Sequence, residues 1–158
     1  MVNISLPQTC NVLTLLAPAA DAAGRTSQYV SLKNALKVWI VVHVKQGNAA
    51  TILLSLLQAT AVAGTSSKAG PVVDIWANQD TSADAFTKAT SAATFTTSAA
   101  VKDKIVIFEL RPEALDSNNG FDCIGISTGA SNAANITSAM AFIYTAYQQA
   151  APPSALTD

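Results

Sequence analysis

The sequence is poor in charge. Nine of its 158 residues are Lys or Arg and ten are Asp or Glu, so 12% are charged, against about 25% in an ordinary globular chain. A soluble unit normally keeps a charge-rich surface. Two readings follow. Either the surface is neutral and built from Ala, Ser and Thr, or much of it is covered by copies of the chain or by another protein. The basic residues stand singly and the formal net charge is −1. Phosphate backbones and anionic lipid surfaces are held by clustered cations, so neither nucleic acid nor a membrane is an expected partner. Cysteine is scarce too. Cys10 and Cys123 are too few and too far apart for a disulfide scaffold, although one bridge between them stays open beside two free thiols. His43 is the only histidine, and with two unclustered cysteines it gives no four-ligand zinc set. No apolar run reaches the ~20 residues of a membrane helix. No Lys or Arg precedes Arg25, and Gln8 to Asn11 interrupt the apolar start, so no signal-peptide pattern is present.

What is present are short runs of Val, Ile, Thr and aromatic residues, punctuated by turn residues, as in strands. The run around Lys37 to Lys45 places Val38, Ile40, Val42 and Val44 on one face and Trp39, Val41 and His43 on the other. Both faces are mostly apolar, so the strand is buried on both sides or has its outer face covered. Gln46-Gly47-Asn48 reads as the turn of a hairpin to a return strand, with Ile52, Leu54 and Leu56 on one face. An α-helix over residues 49–63 is the alternative there, because Ala and Leu favour helix. Further strands are expected at Ser27–Lys33, Pro71–Ala77, Ala93–Thr97, Asp103–Arg111, Phe121–Thr128 and Ala139–Tyr147. Pro112 suits a single helical turn, and Ser117–Gly120 a tight turn. Residues 65–71, 78–93 and 129–137 read as loops. The expected fold is all-β: an antiparallel sandwich of about eight strands, jelly-roll-like. Residues 1–24 read as an N-terminal arm, 25–149 as the sandwich and 150–158 as a C-terminal tail.

The usual catalytic sets are hard to assemble. A Ser or Cys nucleophile needs a base, and His43 lies mid-strand between valines, where a structural imidazole is the ordinary case. Asp74, Glu109, Glu113, Asp116 and Asp122 read as solvated carboxylates rather than a pair set for acid–base work. The seven glycines punctuate strands and form no phosphate loop, and Asn78–Asp84 lacks the calcium-loop pattern. No catalytic residue, cofactor or metal is expected. Trp76, at a strand end beside a polar loop, suits sugar stacking or packing against protein.

The stretches Gly24–Gly64, Val72–Ser82, Asp103–Asp116, Gly120–Ala139 and Ala146–Leu156 resemble small virion proteins of tailed bacteriophages, the head decoration or cement proteins. The resemblance implies a β-sandwich or jelly-roll unit that binds the major capsid protein on the outside of the head, forms dimers or trimers there, and is made in the host bacterial cytoplasm. It transfers no site motif. The candidate contact residues are Leu6, Val12, Leu13, Leu15 and Leu16 in the arm, with Trp39 and Trp76. A tail or fibre module that recognises a host-surface glycan is the alternative.

Overall fold

The computed structural model describes residues 5–146 and 153–157. A four-residue helical turn, α1 (Leu6–Thr9), leads into β1 (Cys10–Ala20). Then follow β2 (Arg25–Thr26), β3 (Val30–Ser31), β4 (Ala35–Gln46), β5 (Leu53–Ala59), β6 (Lys68–Ala69), β7 (Val73–Asn78), β8 (Thr87–Ala92), β9 (Thr94–Thr96), β10 (Asp103–Leu110), β11 (Cys123–Thr128) and β12 (Asn135–Thr145). Two single 3-10 turns, Pro112–Ala114 and Ser117–Asn119, link β10 to β11. One sheet runs β1-β12-β4-β10-β7-β8. The other runs β2-β11-β5-β6, with β3 also on β11 and β9 also on β5. The pairings are antiparallel. The chain changes sheet at β1–β2, β3–β4, β4–β5, β6–β7, β8–β9, β9–β10, β10–β11 and β11–β12, so the fold is a jelly-roll-like sandwich.

The alternation in β4 explains the core. Val38, Ile40, Val42 and Val44 point inward and are fully buried, beside Val106 and Phe108 of β10 and Ala141 of β12. Leu54, Leu56, Ile124 and Ile126 face them from the second sheet, at most 1% exposed. Each such side chain contributes roughly 1.5–3 kcal/mol of transfer free energy. The inward face of β10 begins with a lysine. The Lys104 amine donates to Gln46 Oε1 at 2.9 Å and to the Ala100 carbonyl, and Thr97 Oγ1 donates to the same Gln46 oxygen at 3.0 Å. Burial pushes the Lys104 pKa down, because a desolvated ammonium is disfavoured.

Four expectations change. First, the expected N-terminal arm does not leave the sandwich over Cys10–Ala20, which forms an edge strand paired along β12; residues 1–4 of it lie outside the described residues. Two register shifts, between Thr14 and Leu16 and between Leu16 and Ala19, break its alternation. Pro18 fits only because the strand is an edge. Second, residues 153–157 do not simply lead away. Ala155 is buried against the core and accepts a backbone hydrogen bond from Ser31 at 2.8 Å; the rest of the expected tail, and Tyr147, lie outside the described residues. Third, the turn at Gln46-Gly47-Asn48 does not close a hairpin. β4 and β5 lie in different sheets, and a Cβ on Gly47 would stand 2.5 Å from the Ala134 carbonyl oxygen. The helix alternative falls with β5. Fourth, Thr87–Ala92 within the expected 78–93 loop is β8, paired to β7. The expected strand at Ser27–Lys33 shrinks to Val30–Ser31, and β12 starts earlier, at Asn135.

Arg25 fixes the irregular end of β1. Its guanidinium donates to the carbonyls of Ala17 (2.8 Å), Ala19 (3.1 Å) and Thr137 (2.6 Å), and pairs with the buried Asp21 carboxylate at 3.1 Å. Asp21 also accepts from Thr128 Oγ1 at 2.9 Å. Edge carbonyls that would otherwise be open are thereby occupied.

Candidate functional site

The inner faces of the two sheets meet, so each sheet also has an outer face. On the six-stranded sheet the register sets outward residues in rows across the strands. One row runs Lys88, Trp76, Ile107, Val41, Met140, Thr14. The next runs Asp74, Glu109, Trp39, Phe142, Val12. A third holds Ile105, His43 and Ser138. Val12 and Met140 are each 39% exposed, while Trp39, Val41, Trp76, Ile105, Ile107 and Phe142 are half-buried. No other described strand is stacked on this face. The result is a continuous apolar surface with two tryptophans on it.

Two lysines on this face are paired at its margin. Lys37 pairs with Glu109 and lies 5.2 Å from the Trp39 ring centroid. Lys88 pairs with Asp74 at 3.2 Å and lies 5.9 Å from the Trp76 ring. Each tryptophan thus has a lysine over it that is itself held by a carboxylate, a cation–π arrangement that orients the ring. Ser91 Oγ donates to Asp74 at 2.7 Å, and this bond, with Lys88, holds the Asp74 carboxyl below its usual range. An open cleft of about 680 Å³ lies beside this margin, lined by Lys37, Asp74, Ser91, Glu109, Arg111 and Glu113 among others.

The second sheet finishes its outer face differently. Tyr29 lies over it and packs with Ala59, Cys123, Leu57 and Val62, and its hydroxyl is 2.5 Å from Ser67 Oγ. The space for the ring comes from two glycines. A Cβ on Gly125 would stand 3.0 Å from Tyr29 Cδ1, and one on Gly64, at φ +80°, would stand 2.9 Å from Tyr29 Cε2.

Of the residues singled out from the sequence, Val12, Trp39 and Trp76 meet on the outer face. Leu13 points the other way and packs against the core, and Leu15 and Leu16 are buried in it at 5% and 6% exposure, so these three offer nothing to a partner. Leu6 is exposed on α1, outside the strand rows. Met140, Phe142, Val41, Ile105 and Ile107 were not singled out. Their signal was available in strands whose second face is also apolar. His43 is exposed on the outer face, opposite Ser138 and Ile105. Asp116, Asp80 and Asp122 sit in local ion pairs. Asp116 pairs with Lys68 at 2.5 Å, which with Asn119 lowers its pKa. Asp80 accepts from Ser82 and pairs with Lys102, and its pKa falls to about 2. Cys10 and Cys123 are both buried and are not joined in a disulfide. Among the described residues no three His, Cys, Asp or Glu cluster as metal ligands, and no helix is long and apolar enough to cross a membrane.

No protein-family model matches the chain, and no curated protein matches it in sequence. The solved structures give the fold a counterpart. YomS, a protein derived from the SPBc2 prophage, superposes with a TM-score of 0.50 at 7% identity, over 90% of this chain and 99% of its own. The chain shares that fold. A structure of Desmodium yellow mottle tymovirus aligns over 96% of this chain and 97% of its own at 8% identity. Its TM-score is 0.33, which carries no weight.

Proposed function

We propose that the chain is a structural virion protein of a tailed bacteriophage, one that decorates the outside of the head by binding the major capsid protein and performs no reaction. The observation that carries this reading is the bare outer face of the β1-β12-β4-β10-β7-β8 sheet, which marks the chain as one part of a larger assembly rather than a unit that works alone. Contiguous apolar surface of this kind on a soluble unit marks a protein contact, and tryptophan is the residue type that most often dominates one. The family resemblance of the sequence and the prophage origin of YomS support the phage setting. Oligomers then hold the shell through several weak contacts made at high effective concentration. The test uses heads of the encoding phage that lack this protein. Added wild-type protein should co-sediment with them in fixed stoichiometry and raise the temperature at which they release DNA. Heads that neither bind it nor gain heat resistance would refute the reading.

The cleft beside Lys37 and Glu109, close to two tryptophans, favours one second reading, a glycan-binding module. A glycan array with wild type and Trp76→Ala separates the two: a decoration protein gives no glycan signal.

A further inference from the structure

We infer that the outer face of the six-stranded sheet is the interface of a two-fold dimer, packed face to face on the same sheet of a second copy. The inference rests on reading this face as a protein contact, and it names the partner.

Charge favours self-association. Two of the three lysines on the face are neutralised within the chain, Lys37 by Glu109 and Lys88 by Asp74; the third, Lys45, stands opposite Asp103 at the far end of β4, and the centre is Val41, Ile107, Met140 and Trp76. A partner therefore needs to bring no compensating charge. A second copy meets it with an equally apolar centre and equally neutral margins. Like charges need not be forced together, which is the usual obstacle to self-packing.

Shape points the same way. Two sheets of the same twist pack aligned about 10 Å apart, within about 30° of each other. This is the arrangement that the sandwich already uses inside. The contact is isologous, with each copy offering the same patch.

Extent is of the right order. The three rows hold fourteen outward positions, and at about 4.8 Å by 6.8 Å each they give a flat footprint of roughly 450 Å² before side-chain relief is added. A stable interface buries about 800 Å² per partner, and the rim around the rows supplies the difference.

The edges of the sheet offer a poorer route. On β1, Arg25 occupies the Ala17 and Ala19 carbonyls and Gln28 Nε2 donates to the Thr14 carbonyl at 2.8 Å. On β8, a register irregularity opposite Asp74 and the exposed Lys88 interrupt the ladder. Both devices discourage edge-to-edge pairing.

Trp39 and Trp76 are the only tryptophans, and both lie on this face, so their emission reports its burial directly. Light scattering and tryptophan emission are followed from about 1 μM to about 100 μM protein, a range that brackets micromolar dissociation. The expected result is a doubled mass with a parallel blue shift. Met140→Glu should give single-chain mass and solvent-exposed emission throughout, with unchanged far-UV circular dichroism. Thr14→Arg, at the fully exposed end of the same row, should weaken the dimer without risk to the fold. Ser55→Glu, on the other sheet, should leave it intact. Single-chain wild type at all concentrations overturns the inference. So does a dimer that survives both face variants, or one whose tryptophan emission never moves. A single-chain protein that still binds heads, and loses them on Met140→Glu, overturns the dimer but keeps the head reading. A dimer that never binds heads does the reverse.

Discussion

On the outside of one sheet a tyrosine lies over a glycine, closed in by the loop at residues 60–66. On the outside of the other, two tryptophans, a phenylalanine, a methionine and several β-branched residues have no described strand or loop above them, only Lys37 and Lys88 over the two indole rings. Both sheets have the same inner chemistry, so the difference is in what the chain does after the core is complete. Tyr29 finishes the smaller sheet with a side chain of this same polypeptide, and Gly125 and Gly64 make room for it. No described segment performs that service for the larger sheet. Its outer residues are not needed for the core, which is already sealed by Val38, Ile40, Phe108 and the side chains opposite. They are best understood as contact surface.

The comparison can be tested by substitution. Phe108→Asp, between the sheets, should abolish both faces at once. It buries an unpaired carboxylate at a fully buried site, costing roughly 5 kcal/mol or more, enough to leave the chain unfolded by circular dichroism. Tyr29→Ala should cost about 3 kcal/mol in urea unfolding and create a second bare face, visible as new binding of a hydrophobic dye. Trp76→Ala should cost about 1 kcal/mol or less, yet remove much of the association. If Trp76→Ala destabilises as much as Tyr29→Ala, the two faces serve the fold alike and the distinction is wrong. Lys88→Asp sets a second carboxylate beside Asp74. A melting point lowered by only a few degrees, and restored by added salt, is expected. Asp80→Asn lies outside both faces, and its effect should be full at neutral pH and fade in acid. The Asp80 carboxyl falls from its ordinary 3.8 to about 2 on folding, so its contribution is full above about pH 4 and disappears as pH falls through about 2. The variant's melting temperature should therefore vary less with pH in that window than the wild type's.

The sequence made the strands with strict alternation legible, and these built most of the sandwich: β4, β5, β7 and β10 each have one predominantly apolar face. It hid β1, because register shifts put the adjacent Leu15 and Leu16 both inside and Pro18 reads as a strand breaker. It hid β8, because Thr-Lys-Ala-Thr-Ser-Ala has no large residue to mark a buried side. The corner at Gly47 looks like a hairpin turn because the same residues permit either, and only the facing sheet decides. The contact face was half visible. Trp39, Trp76 and Val12 were recognisable as large side chains, but Met140 and Phe142 became part of it only once β12 was placed between β1 and β4.

That placement of β12 also governs the order of events at the ribosome. The strand that emerges last among the long ones must slide between two that have long been waiting, and until it does the Val38–Val44 segment keeps one flank unpaired. A nascent chain therefore cannot close this sheet piecemeal from its beginning. Its most adhesive stretch is at risk of pairing with a neighbour on the same polysome, and slowing synthesis ahead of Asn135 should send more product into inclusion bodies.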